Sequence, residues 1–232
     1  SPFSPRARQV IRDIYEDLSR SVAFQGLLFH DDVTLSDYED AGPRALAAYR
    51  AWGLPQSLAE IRGDDALLQR WTARKIALLD DFAAELGDIV RREQPDLKLA
   101  RNLYAQVALN PYSSTWYAQS LADSVRHYDF TAIMAMPYME QVADHEAFYR
   151  DMVARVQAVP GAMDRVVFEL QATDWRTGQR IPTTEIADTM RLLYGLGARH
   201  VGYRVPHRIR HGHAHGRGGR HRSATWLPSG SS

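Results

Sequence analysis

The 232-residue sequence predicts an α/β fold built on a parallel sheet. Three observations predict it. Five short apolar runs punctuate the chain. Stretches of helical periodicity separate them. The composition, 45% hydrophobic and 24% charged, is that of a globular protein with a core. Strands that alternate with helices at this spacing run parallel and are joined by right-handed crossovers.

The elements follow in order. Ser4-Pro5 opens a helix, with Ser placed to cap and Pro in the first turn; Ile11, Ile14, Tyr15, Leu18 and Val22 then repeat at helical spacing. Phe24 to Phe29 (FQGLLF) reads as a short, fully buried strand, and a polar loop runs from His30 to about Asp40. Pro43 to Trp52 is a short helix. A long helix carries Leu67, Leu68, Trp71, Leu78, Leu79, Phe82, Leu86, Ile89 and Val90, and Pro95 ends it. Leu97 to Tyr104 is a second strand. Ser113 or Ser114 caps a helix reaching about Tyr128, and Phe130 to Met136 is a third strand. Asp144 to Val159 is helical, Asp164 to Leu170 a fourth strand, Thr183 to Leu196 a helix and Arg199 to Tyr203 a fifth strand.

Two architectures fit this order: a doubly wound open sheet or a (β/α)8 barrel. A barrel needs eight strands. The count here is five, so a barrel reading puts the first three upstream of Ser1, in keeping with a chain that starts without Met. Residues 1–203 form the body, and 204–232 a His/Arg/Gly-rich tail with no hydrophobic periodicity, which reads as disordered. His211, His213 and His215 alternate in that tail, a low-complexity feature with incidental metal affinity.

Composition excludes several classes. Without Cys there is no disulfide framework and no thiolate chemistry. No apolar run approaches the roughly 20 residues that span a bilayer. The chain holds 28 basic and 28 acidic groups, but six arginines and no acids follow Tyr203. The body therefore carries 22 basic against 28 acidic groups, a net of −6, which is unsuited to binding nucleic acid. Motifs for phosphate loops, nucleophile elbows and zinc proteases are missing, and no cofactor is expected.

Chemistry collects at the C-terminal ends of parallel strands. The first strand ends in His30-Asp31-Asp32, the second at Asn102, the third in Tyr138 and Glu140, and the fourth at Glu169, ahead of Trp175. Asp31 and Asp32 are the sharpest feature, since two charges directly after an apolar strand are costly unless solvated or paired. The competing reading is turn capping by Asp. Glu169 shares the parity of Gln171 and reads as a carboxylate at the mouth. The alternative for it is a salt bridge to an arginine such as Arg101, while Glu140 reads as a loop carboxylate rather than a catalyst. Trp116, Tyr138 and Trp175 offer flat faces that suit a sugar ring, although helix packing competes for Trp116. His30 is either scaffold or proton carrier. Carboxylates and aromatics together are the ingredients of glycoside hydrolysis.

These blocks also look familiar. GLLFHDDVTLSDYEDAG (Gly26 to Gly42), the stretch from Ala100 to Glu140 ending in MPYME, and VFELQATDW (Val167 to Trp175) resemble the C-terminal domain of PgaB/BpsB proteins. The resemblance covers about residues 4–203. It implies a (β/α)8 TIM-type barrel, here a partial barrel of about five strands. It implies an endo-acting glycoside hydrolase that cleaves partially de-N-acetylated poly-β-1,6-N-acetyl-D-glucosamine during biofilm exopolysaccharide export. An N-terminal deacetylase domain, an outer-membrane export porin and a periplasmic, outer-membrane-associated location come with it. Carried onto this sequence, Asp31 and Asp32 are the catalytic candidates, with Glu169 added from strand parity. His30, Asn102, Trp116, Tyr138, Glu140 and Trp175 are the substrate-binding candidates. The rival expectation is a non-catalytic module that guides the polymer to the porin.

Overall fold

A computed structural model describes residues 1–204; the His-rich tail lies outside the described residues. Five strands form one sheet: β1 (Gly26–Phe29), β2 (Lys98–Leu103), β3 (Phe130–Ala135), β4 (Val166–Gln171) and β5 (His200–Arg204). Every adjacent pair is parallel, and the order across the sheet is the order along the chain. Sequential order decides between the two architectures. A doubly wound sheet reverses direction at a switch point, whereas this one winds in a single sense, as a barrel wall does.

The helices are α1 (Pro5–Ser21), α2 (Pro43–Ala51), α3 (Leu58–Arg62), α4 (Asp65–Arg91), α5 (Ala105–Leu109), α6 (Ser114–Tyr117), α7 (Leu121–His127), α8 (Pro137–Glu140), α9 (His145–Gln157) and α10 (Thr183–Gly195). Capping explains their starts. Ser4, Ser57, Asp64, Ser120 and Asp144 each accept a hydrogen bond from a backbone N–H in the first turn of the helix that follows.

One face of the sheet carries the core. Leu27 and Phe29 of β1 and Leu99 of β2 pack with Phe82, Leu86 and Val90 of α4. Leu103, Ile133, Phe168, Leu170 and Val201 pack with α5, α7, α9 and α10. The alternate residues Asn102, Ala132, Met134, Val167 and Glu169 lie on the opposite face, as the period of two requires. Helix α4 lies close against β2 at Gly87, where a Cβ would stand 2.5 Å from Leu99 Cδ1.

Three local expectations are corrected. The first strand is not fully buried: among the described residues β2 is the strand beside β1, and Leu28 is 46% exposed. In α1, Ile11 and Tyr15 pack on the core while Ile14 and Val22 face solvent. The single helix expected from Ser113 to Tyr128 is two. Ala118 adopts a left-handed conformation (φ 48°) that ends α6, and Ser120 caps α7 afresh.

Candidate active site

Phe29 fixes the end of β1. It is buried, stacks with Tyr15 at 6.2 Å between centroids, and meets Tyr128 edge-on at 6.1 Å. The chain then turns at once: Val33 N–H donates to His30 O (3.2 Å) and Thr34 N–H to Asp32 O (2.9 Å). This turn treats the two acids differently. The Asp31 side chain is 15% exposed and pairs with His30 Nδ1; that of Asp32 is 85% exposed, 4.0 Å from the same nitrogen. Asp31 also accepts from the Tyr104 hydroxyl. Burial first, then this bond and the charge of Asp31, push the Tyr104 phenol up to about 12.

Partners from distant parts of the chain hold the turn. Gln119, buried, donates to Asp31 O (3.2 Å) and accepts from Tyr104 N–H (3.2 Å). Thr34 Oγ1 donates to Tyr117 O, and Arg101 donates to Val33 O. The Tyr104 and Tyr117 rings stack at 4.4 Å. Trp116 meets Tyr117 edge-on at 6.5 Å and is 42% exposed.

Glu140 closes this group from the end of β3. Gln106 Nε2 donates to it at 2.6 Å. The Tyr117 phenol is raised by burial and then by the nearby negative charge of Glu140. Asp31 and Glu140 thus each act on one ring of the Tyr104–Tyr117 stack. Tyr104, Tyr117, Gln106 and Gln119 were not among the sequence-derived candidates; the run of aromatics at 116–117 was the one available signal.

The remaining candidates stand elsewhere along the strand ends. Glu169 is on the open face of the sheet, with Asn102 Nδ2 donating to its Oε2 at 2.7 Å. Arg101, the arginine weighed as an example for Glu169, belongs to the opposite face of β2, and Asn102 is a partner of Glu169 on the open face. The Tyr138 hydroxyl donates to Glu185 Oε1 (2.7 Å), and its ring meets His145 edge-on at 4.5 Å. The Glu185 bond, with burial behind it, pushes the Tyr138 phenol up to about 12. Trp175 is 41% exposed in a turn where Asp174 accepts from Arg176 N–H (3.0 Å) and Thr177 Oγ1 (2.8 Å). These two bonds hold the Asp174 carboxyl below its usual range.

Chemically, the first group joins three carboxylates, an imidazole and two phenols beside an exposed indole. That set can move protons and offer a flat surface to a sugar. Among the described residues no cluster of three or more His, Asp or Glu side chains is placed to hold a metal, and no helix is long and apolar enough to cross a membrane.

Comparison with known proteins gives a consistent picture. Two Escherichia coli proteins, from strain K12 and from O157:H7, are each named poly-β-1,6-N-acetyl-D-glucosamine N-deacetylase. Each is 41% identical over 209 residues, covering 88% of this chain. The chain spans 31% of their length. The solved glycoside hydrolase domain of PgaB (BpsB) from Bordetella bronchiseptica is 49% identical, with a TM-score of 0.86 over 88% of this chain and 58% of that one. The family model described as hypothetical glycosyl hydrolase family 13 (GHL13) matches residues 1–204. With that match over the whole body, and this fold beneath it, the chain belongs to GHL13 and is a glycoside hydrolase domain.

Proposed function

We propose that this domain is an endo-acting hydrolase of partially de-N-acetylated poly-β-1,6-N-acetyl-D-glucosamine. In this reading it works in the periplasm, near the outer membrane, on polymer bound for an export porin, within a protein that also carries a deacetylase domain. The substrate follows from the names of its relatives. The chemistry rests on one observation: Asp31, at the end of β1, is tied to His30 and Tyr104, with Glu140 acting on the other ring of the Tyr104–Tyr117 stack.

Glycoside hydrolysis passes through a transition state with positive charge at the anomeric carbon, and it needs two groups near that carbon. Asp31 is the first. Its sheltered position strengthens its field, and its contacts with His30 and Tyr104 fix its direction. Glu140 is the second: it acts with Asp31 on the Tyr104–Tyr117 stack, whereas Glu169 lies on the open face of the sheet beside Asn102. Asp32, solvent-facing, adds negative charge at the rim. His30 and Asn102 orient the acids they bond, while Trp116, Tyr138 and Trp175 supply sugar-stacking faces along the strand ends.

The test is release of reducing ends from partially de-N-acetylated polymer. Asp31→Asn is expected to lower kcat by roughly 10²–10⁴-fold, the usual worth of a positioned acid or base. Asp32→Asn is expected to cost about tenfold or less, since its field is screened by solvent. Unchanged turnover in both variants would sink the proposal. The exposed Trp116 and Trp175 favour one second reading, a polymer-binding module without cleavage. Polymer binding that survives both changes, with no new reducing ends from the unaltered chain, would favour it.

A further inference from the structure

Arg101 is 2% exposed and lies on the helix-facing side of β2, where its register partner is Phe29, the residue before His30-Asp31-Asp32. Beneath the β1 turn its guanidinium has a defined set of neighbours. One amino group donates to Val33 O, inside the turn. The other, Nη1, is buried without a hydrogen-bond acceptor among the described residues. The negative or polar groups that face its charge are Tyr128, Asp80, Asp31 and Asp32. Asp80 and Tyr128 are themselves buried and joined by a 2.8 Å hydrogen bond, and His127 Nδ1 stands 3.8 Å from Asp80.

Burying a cation with an unmet donor is costly, and a fold that needed only packing at this position would use an apolar residue. What the charge accomplishes here is specific. It fixes the carbonyl of Val33 and so the path of the chain through residues 30–34. Its charge also acts on both acids of the pair.

We infer that Arg101 is a positioning residue for the hydrolytic reaction, holding the Asp31-Asp32 turn from beneath through Val33 O and its charge. Arg101 touches no sugar in this arrangement; it acts through the turn. The inference rests on the reading of Asp31 as the reacting acid, and the experiment separates the two.

Arg101→Met and Arg101→Lys are made in the full chain. Each is measured for folding by circular dichroism, for amide hydrogen exchange at Val33 and Thr34, and for kcat and KM on partially de-N-acetylated polymer. In Arg101→Met, exchange at these two amides is expected to rise at least tenfold while β3 and β4 stay protected. Its kcat is expected to fall about 100-fold, with KM within threefold. Arg101→Lys, which keeps the charge and one donor, is expected to recover at least tenfold of that kcat. If the Met variant does not fold, the Lys variant decides alone: a native melt with kcat down about tenfold and faster Val33 exchange supports the inference. Turnover that tracks only the folded fraction, a rise in KM at constant kcat, or unchanged exchange overturns it. An unaltered chain that releases no reducing ends defeats the proposed cleavage of this polymer instead, and the exchange data still decide whether Arg101 holds the turn.

Discussion

Lys75 of α4 is fully buried. Its ammonium donates to the carbonyls of Ser36 (2.7 Å), Glu39 (3.3 Å) and Leu35 (3.5 Å), and it lies 3.6 Å from the centroid of the Trp71 ring. Burial lowers its pKa to about 7, against the opposing pull of Asp37 and Glu39. The unfolded chain keeps this proton up to about pH 10.4. Between those values the unfolded state binds a proton that the folded state has released, so stability rises with pH; below about 7 the cost of the buried charge is complete. From pH 6 to pH 9 the gain is expected to be roughly 2–3 kcal/mol. Urea unfolding at the two pH values measures it, and Lys75→Met should flatten the difference; an equal slope in the variant would refute the account. The loop that Lys75 grips, 35–39, continues the one carrying Asp31 and Asp32. Those acids were legible in the sequence because a charged pair after an apolar strand stands out locally. Gln119, Arg101 and Tyr117 were not, because what makes them part of the site is contact across 68 to 88 residues of chain.

At the scale of elements, alternation of apolar runs and periodic stretches located all five strands, and the long helix α4 ended before Pro95 as expected. The stretch from 105 to 127 was harder. It holds four short pieces, α5, a 3-10 turn at Pro111–Ser113, α6 and α7, each too brief to show a period. Burial of β1 differs from expectation as well, since an apolar run does not say how a strand is covered: Leu28 is 46% exposed. One contact between elements supports a test. Gly87 lets α4 close on Leu99. Alanine in a helix interior normally gains about 0.5–1 kcal/mol over glycine. Here the added methyl would displace the buried Leu99 side chain, and overpacking costs about 1–3 kcal/mol. Gly87→Ala is therefore expected to destabilise by about 1 kcal/mol net, read as a lower urea midpoint. Combining it with Leu99→Ala should cost less than the sum of the two single changes, the mark of a direct contact. Additive costs would mean that the helix and strand do not meet there.

For the whole molecule, the charge balance bears on the proposed substrate. The described body is acidic, net −6 over residues 1–203, and several of its carboxylates gather around the strand ends: Asp31, Asp32, Glu140, Asp174 and Glu185. A glucosamine polymer becomes cationic where its acetyl groups have been removed. An acidic face concentrates such a polymer and orients it before any specific contact forms, and added salt screens that attraction within about 8–10 Å at physiological ionic strength. Two polymers of equal length but different acetylation therefore separate the long-range charge effect from stacking on Trp116 and Trp175. Raising salt from 20 to 200 mM is expected to increase KM severalfold for the partially de-N-acetylated polymer and to leave it nearly unchanged for the fully acetylated one, with kcat steady in both. The Trp175→Ala variant should raise KM for both polymers alike, because an indole stacks on the sugar ring whether or not its nitrogen is acetylated. If KM for the amine-bearing polymer ignores salt, recognition depends on contact alone and the acidic surface has no part in drawing substrate to the cleft.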